Sequence, residues 1–338
     1  MPVGTNATVK MLTPDALART GSRIVLANAY HLSLRPGEEV VRHFGGLHRF
    51  MGWNGPILTD SGGFQVHSLA ELRRIDDNGV TFQSHIDGST VILTPERAIE
   101  IQHALGADII MAFDECVSYP VEHYRAREAM ERTLAWAVRC RRAHRDDGQA
   151  LFGIVQGSVF PDLRAECARR LVEMDFLGYA LGGFSVGEGS DLMNELIEQT
   201  VPHLPADSPR YLMGVGTPAD ILEGVQRGID MFDCVMPTRN GRNGMLFTSE
   251  GIINIRNKKW QADFTPIDPF GPTFVDSRYT KAYLRHLFIA GEMLGPQIAS
   301  IHNLGFYLWL VGEARKHIVE GDFLQWKNAM VKKVSKRL

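Results

Sequence analysis

Cysteine is scarce and scattered in this chain. Its 338 residues hold four, namely Cys116, Cys140, Cys167 and Cys234, and no two stand at CxxC spacing. That excludes a disulfide framework and a cysteine-rich zinc motif. Any run of 18 apolar residues is also missing, as is a signal-peptide pattern, so no membrane span is expected. There is no excess of basic residues: the formal net charge is −3. The chain is therefore not a basic coat for nucleic acid, and a nucleic-acid site would have to be a local patch. Internal repeats and low-complexity tracts are absent too. What is present is 44% hydrophobic and 22% charged residues, enough for a large core in one large domain or two ordinary ones. A soluble, reducing, cytoplasmic setting is expected.

Short apolar runs alternate with amphipathic ones. The apolar runs are IVLAN (24–28), PILTD (56–60), DIIMAFD (108–114), LFGIVQ (151–156), YALGG (179–183), YLMGVG (211–216) and MFDCVMP (231–237). Such continuous apolar character suits strands buried on both faces. PDLRAECARRLVEM, DLMNELIEQTVPHL and PADILEGVQRG follow three of them and read as helices, with proline or aspartate near their starts. MPVGT at the start supplies the end of an eighth strand. This alternation predicts an α/β fold, a (β/α)8 TIM barrel. From about residue 262 the style changes to a Pro/Gly/Asp-rich loop and aromatic-bearing helices. The expected division is a catalytic barrel over 1–261 and a helical subdomain over 262–338.

In such barrels the active site lies at the C-terminal ends of the strands. Those ends carry Asn28, Asp60, Asp114, Gln156, Gly182, Gly183, Met213, Gly214 and Asp233. In DSGGFQ, Asp60 stands at a strand end, and Ser61, Gly62 and Gly63 let backbone N–H groups come close to a ligand. Phe64 could stack on a flat one. Each feature alone has an ordinary explanation, since strand-end aspartates cap helices and Gly-Gly pairs make turns. Their joint occurrence at successive strand ends points to chemistry. Two carboxylates facing one pocket suit nucleophile and acid/base roles at an anomeric carbon, so the pattern alone reads as glycosyl transfer or hydrolysis. PTRNGRNG (237–244) places Arg239 and Arg242 in what reads as a Gly/Asn-rich loop, a candidate phosphate clamp.

DSGGFQ, SHIDGS followed by LTPE, FDEC, GIVQGS, GGFSVGE, YLMGVGTP, MFDCVMPTRNGRNG, and YLRHLF followed by HNL together resemble the bacterial form of the tRNA-guanine transglycosylase family. The resemblance runs in order over nearly the whole chain. It implies exchange of guanine for preQ1 at the wobble position of tRNAs with GUN anticodons, in queuosine biosynthesis. By position it implies Asp233 as nucleophile and Asp60 as proton donor and acceptor. Asp114, Gln156, Gly183 and Phe184 would read the base edge, with Ser61, Gly62 and Gly63 beside it. Phe64 and Met213 would sandwich the base. Gly214, Val215, Gly216, Thr217, Pro218, Ala219 and Asp220 would contact RNA, as would Thr238, Arg239, Asn240, Gly241 and Arg242. Cys116 and Val186 would favour preQ1 over queuine. Phe50, Phe274, Tyr279, Tyr283 and His286 fall where the family builds a homodimer.

Two departures stand out. The resembled family holds a structural zinc with three cysteines and a histidine. Here the histidine is His302, but the cysteine positions read Gly271, Thr273 and Asp276. No zinc and no other cofactor is therefore expected, with the subdomain held by packing alone. The loop from about Thr265 to Ser277 should be loose for want of a tether, and dimerisation weaker. The family also has a few dozen residues ahead of MPVGT, so Met1 would lie within an incomplete first strand, leaving an edge uncovered. An alternative from another class follows from these losses: an impaired homologue serving as an RNA-binding or partner subunit.

Overall fold

The computed structural model describes residues 1–63, 73–84, 86–145 and 148–338. Seven short strands form one parallel sheet in chain order: β1 (Val25–Ala27), β2 (Ile57–Thr59), β6 (Ile109–Met111), β7 (Ala150–Val155), β8 (Gly178–Leu181), β9 (Arg210–Leu212) and β10 (Met231–Phe232). Each overlaps an apolar run expected to be a strand, three of them (β7, β8 and β9) starting one residue earlier. The register pairs Leu26 with Leu58, Ile110 with Leu151 and Ala180 with Tyr211. Alternate side chains go to opposite faces. Leu26, Leu58, Met111, Phe152, Ile154, Ala180 and Tyr211 fill the inside of the curled sheet. Val25, Ile57, Ile110, Leu151, Val155 and Leu181 point outward into the layer shared with the helices.

The sheet curls until both of its edges meet the same N-terminal segment. Pro2 makes a parallel bridge to Cys234 beyond β10, and Val3 makes one to Leu26 of β1. Leu26 N donates to Pro2 O at 2.9 Å, and Gly4 N donates to Leu26 O at 2.7 Å. The uncovered edge expected from a short first strand is thus bridged on both sides.

The connecting helices begin as their sequences dictate. Pro161–Val172 and Pro218–Gln226 open on proline, whose missing N–H would have had no helical partner. Thr217 caps the second by accepting from Asp220 N at 3.1 Å. Ser190–Thr200 ends where Pro202 follows and continues as a single 3-10 turn. Between β2 and β6 the chain adds an antiparallel sheet of β3 (Arg73–Asp76), β4 (Gly79–Gln83) and β5 (Thr90–Leu93).

Residues expected as a loop around Arg239 and Arg242 form a helix, Met236–Arg242. Pro237 starts it, and Gly241 lets it lie against Leu294–Glu320: a Cβ there would fall 2.9 Å from Ala299 O. The hairpin of β11 (Met245–Thr248) and β12 (Gly251–Asn254) follows, then Lys281–Ala290, Leu294–Glu320 and Phe323–Val334. The long helix is tied to the rest by polar contacts. Asn303 Nδ2 donates to Pro237 O and Met245 O, its Oδ1 accepts from Phe247 N, and Tyr307 Oη donates to Gly216 O at 2.7 Å. Among the described residues no helix is long and apolar enough to cross a membrane.

Candidate active site

The strand ends surround a cavity of about 550 Å³. Of the residues expected at the site, Asp60, Ser61, Asp114, Gln156, Gly183, Phe184, Met213, Gly214, Asp233 and Arg239 line it, as do Cys116 and Val186. Phe64 lies outside the described residues. Gly62 and Gly63 stand behind the wall, where backbone matters more than side chain. Gly62 has φ +82°, and a Cβ on Gly63 would meet Asp114 O and Oδ1 at 2.8 Å. The two glycines therefore let the turn after β2 close down on Asp114.

Asp233, just past β10, is held on one side only. Its Oδ1 accepts from Tyr211 Oη at 2.5 Å and from Gly214 N at 2.7 Å. Among the described residues Oδ2 receives no hydrogen bond. Burial, then the neighbouring Asp233 charge, raises the Tyr211 phenol well above its ordinary value, so it stays a donor. Asp60 is fixed from the other side of the cavity. Asn28 Nδ2 donates to its Oδ2, and Ala29 N donates to its Oδ1 at 2.8 Å.

Asp114 and Gln156 form a third group. Gln156 Nε2 donates to Asp114 Oδ2 at 2.7 Å, and Ser61 Oγ donates to Oδ1 at 3.2 Å. Burial raises Asp114 to about 6, against the opposing pull of those two hydrogen bonds. Among the described residues Gln156 Oε1 is buried without a partner. An orphaned acceptor beside a carboxylate suits a ligand whose edge carries N–H donors. The would-be Cβ of Gly183 lies 2.6 Å from that oxygen, so only glycine leaves room for it.

The expected RNA segments divide. Gly214 is exposed at the cavity, whereas Val215 and Gly216 are buried. Pro218 is buried, and Thr217 and Asp220 are engaged in the cap of their helix. Thr217, Ala219 and Asp220 line a different, more open groove of about 750 Å³, together with Asp191, Glu195, Glu198 and Glu223. Such an acidic lining repels phosphate. In the other segment Arg239 is exposed, Asn240 and Arg242 are half-buried, and Thr238 and Gly241 are buried. Among the described residues Arg242 Nη1 is buried without a partner, and burial and then Arg239 lower the pKa of the side chain.

Sequence reading missed Tyr211 and the grip of Asn28 on Asp60. Tyr211 stands two residues before Met213, so strand alternation already put both on one face.

The four positions where a zinc would be held do not suit it. Gly271 has no ligand atom, and a Cβ there would lie 2.2 Å from Asp276 Cβ. Thr273 Oγ1 donates to Asp276 Oδ2 at 2.5 Å. His302 Nδ1 faces Asp276 Oδ1 at 2.5 Å, and Nε2 faces Phe247 O at 2.9 Å. Both ring nitrogens meet oxygen acceptors, so both donate and neither has a lone pair for a metal. Burial opposes charge on both partners, but their attraction prevails: His302 is raised and Asp276 lowered. The subdomain is thus held by a buried polar network, not by packing alone. The nearby loop is tethered as well. Asp268 accepts from Ser249 N and Oγ, and Pro266 bridges Thr280.

A curled parallel sheet, two carboxylates lining one cavity and an amide–carboxylate pair beside them are the marks of an enzyme of the α/β class. The chain belongs to the family described as queuine tRNA-ribosyltransferase, whose profile matches residues 1–336. It is 54% identical to the queuine tRNA-ribosyltransferase of Caldanaerobacter subterraneus subsp. tengcongensis, over 98% of this chain and 89% of that protein. The protein of that name from Symbiobacterium thermophilum is 54% identical over 98% and 84% of the two chains. The one from Syntrophobacter fumaroxidans is 55% identical over 97% and 88%.

Proposed function

We propose that the chain is a tRNA-guanine transglycosylase, exchanging guanine for preQ1 at the wobble position of tRNAs with GUN anticodons in the cytoplasm. Family membership supports base exchange in tRNA on the queuosine pathway. The observation that carries the mechanism is Asp233, with Oδ1 held by Tyr211 and Gly214 and Oδ2 left to react. In this reading an Asp233 oxygen bonds to C1′ of the nucleotide. The C1′–N9 bond breaks, its electron pair leaves with guanine, and Asp60 supplies the proton. The incoming base then gives a proton to Asp60 and displaces the aspartyl ester. The carboxylate serves the oxocarbenium-like carbon as both nucleophile and charge partner. Asp114, Gln156 and Gly183 read the base edge, and Met213 with Phe64 sandwiches its faces. Cys116 and Val186 set the wall that favours preQ1. A single-stranded anticodon loop can present an unstacked base to such a cavity.

The curled sheet and its N-terminal bridges support a (β/α)8 barrel. We assign RNA contact chiefly to Gly214, Arg239 and Arg242, because residues 217–220 face the acidic groove. No zinc is bound, since the polar network occupies its place. A homodimer would use Tyr279, Tyr283, His286 and Phe50. Tyr283 is 41% exposed and stacks on Tyr279, and Phe50 packs edge-on against an exposed Phe44. Phe274 is less available, because Arg19 covers its ring.

The test is Asp233→Asn. Exchange of labelled guanine into a GUN tRNA and the covalent RNA adduct should both vanish, with tRNA affinity kept. Exchange at the parent rate by the variant would overturn the mechanism, whereas no exchange by the parent itself would favour the reading of a non-catalytic partner subunit.

A further inference from the structure

Arg164, in the helix Pro161–Val172, is 0% exposed. Among the described residues no carboxylate forms an ion pair with it. Its contacts go instead to two neighbouring strand-end loops. Nε donates to Ser158 O at 2.5 Å in the loop after β7, and Nη2 donates to Gly182 O at 3.0 Å in the loop after β8. The guanidinium carbon lies 3.7 Å from the centre of the Phe184 ring. Among the described residues Nη1 is buried without a partner. A Cβ on Gly183 would stand 3.6 Å from Nη2. The guanidinium is therefore directly behind the cavity wall formed by Gly182, Gly183 and Phe184.

This placement is costly. A buried cation loses its hydration, and although Glu188 attracts it through space, no carboxylate among the described residues pairs with it directly. Burial lowers the Arg164 pKa to about 10, which still leaves it charged at neutral pH. A packed apolar side chain could fill the same space, but it could not bind two carbonyls of different loops through one rigid planar fork. The fork fixes the loop that carries Gln156 relative to the loop that carries Gly183. Its charge, without a direct ion pair among the described residues, raises the potential on the side of the cavity where the base edge is read.

We propose that Arg164 is a positioning residue for base exchange. It holds the two base-reading loops in register, and its charge favours a base that becomes electron-rich as the C1′–N9 electron pair leaves with it. The inference rests on the assignment of Gln156 and Gly183 to the base edge.

The experiment measures kcat and KM for guanine exchange, tRNA affinity and near-ultraviolet circular dichroism in Arg164→Met, Arg164→Lys and Gln156→Ala. Arg164→Met should fold and bind tRNA within about twofold of the parent. Its KM for guanine should rise and its kcat fall, each about tenfold or more. Arg164→Lys keeps the charge and loses the fork, so it should recover kcat while KM stays raised. A merely structural arginine would give no such split between the two variants. A folded Arg164→Met with both constants within twofold of the parent overturns the proposal. If Arg164→Met does not fold, Arg164→Lys decides: KM within twofold of the parent overturns it, and a raised KM with near-parental kcat supports it. An unchanged guanine KM in Gln156→Ala would show instead that the base-edge assignment itself is wrong.

Discussion

Asp114 shows how one buried side chain sets a pH response. Its pKa is raised to about 6 by burial, so the folded state binds a proton that the unfolded chain has already lost. The stability tied to that proton is fully present below the ordinary carboxylate pKa near 4 and is lost as pH rises through about 6. The shift corresponds to roughly 3 kcal/mol at neutral pH. Asp114→Asn should therefore melt higher than the parent at pH 7–8 and close to it near pH 4, as thermal unfolding across pH will show. The same variant should lose guanine binding if Asp114 accepts from the base. Asp114 could be picked out in the sequence because it ends an apolar run in company with other polar strand ends; alone it would read as a helix cap. Alternation with Met213 puts Tyr211 on the cavity face but does not show its partner, and Arg164 could not be picked out at all. Tyr211 reaches Asp233 across 22 positions, and Arg164 joins loops that only the folded sheet makes neighbours. Local pattern carries no record of such contacts.

Strands buried on both faces were readable for a simple reason: each must be a short apolar run ending in polar residues, and the seven observed strands each overlap one of the seven runs to within a residue at the start. The antiparallel sheet was passed over, although RIDDNGVTF holds a turn-forming Asp-Asn-Gly between alternating residues. The helix His123–Ala143 is hidden by its many charges. Those charges are used at a distance. Arg127 and Arg170 reach Glu166 and Glu131 across helices, and Arg139 clasps Glu96 with two bonds while Nη1 donates to Asp77 O. The Met236–Arg242 element misled because Asn and Gly suggest a loop, whereas burial of Gly241 against a neighbouring helix decides the matter. Its exposed residue Arg239 should act on RNA. Arg239→Ala should weaken tRNA binding by about 1–3 kcal/mol and reduce the salt slope of binding by about 0.7. Filter binding across a salt series measures both. Unchanged tRNA affinity together with a raised KM for the free base would move Arg239 from RNA to the base site.

The last third of the chain coheres through Thr273, Asp276 and His302, all buried, with Asn303 and Tyr307 binding the long helix to its surroundings. Replacing only one partner of a buried ion pair strands the other, so His302→Ala should destabilise the protein by about 3–5 kcal/mol. Denaturant unfolding will measure it. Metal analysis of the parent should find well under one zinc per chain, and a strong chelator should leave its melting temperature unchanged. Stoichiometric zinc would overturn that expectation. The network also bears on supply. On the proposed zinc-free reading, a chain whose final helices order around its own side chains would have no loading step between synthesis and use, and would compete with no other protein for a scarce ion. Cells starved of zinc should accumulate as much active enzyme as replete cells, so transfer of the modified base into tRNA should keep pace with translation.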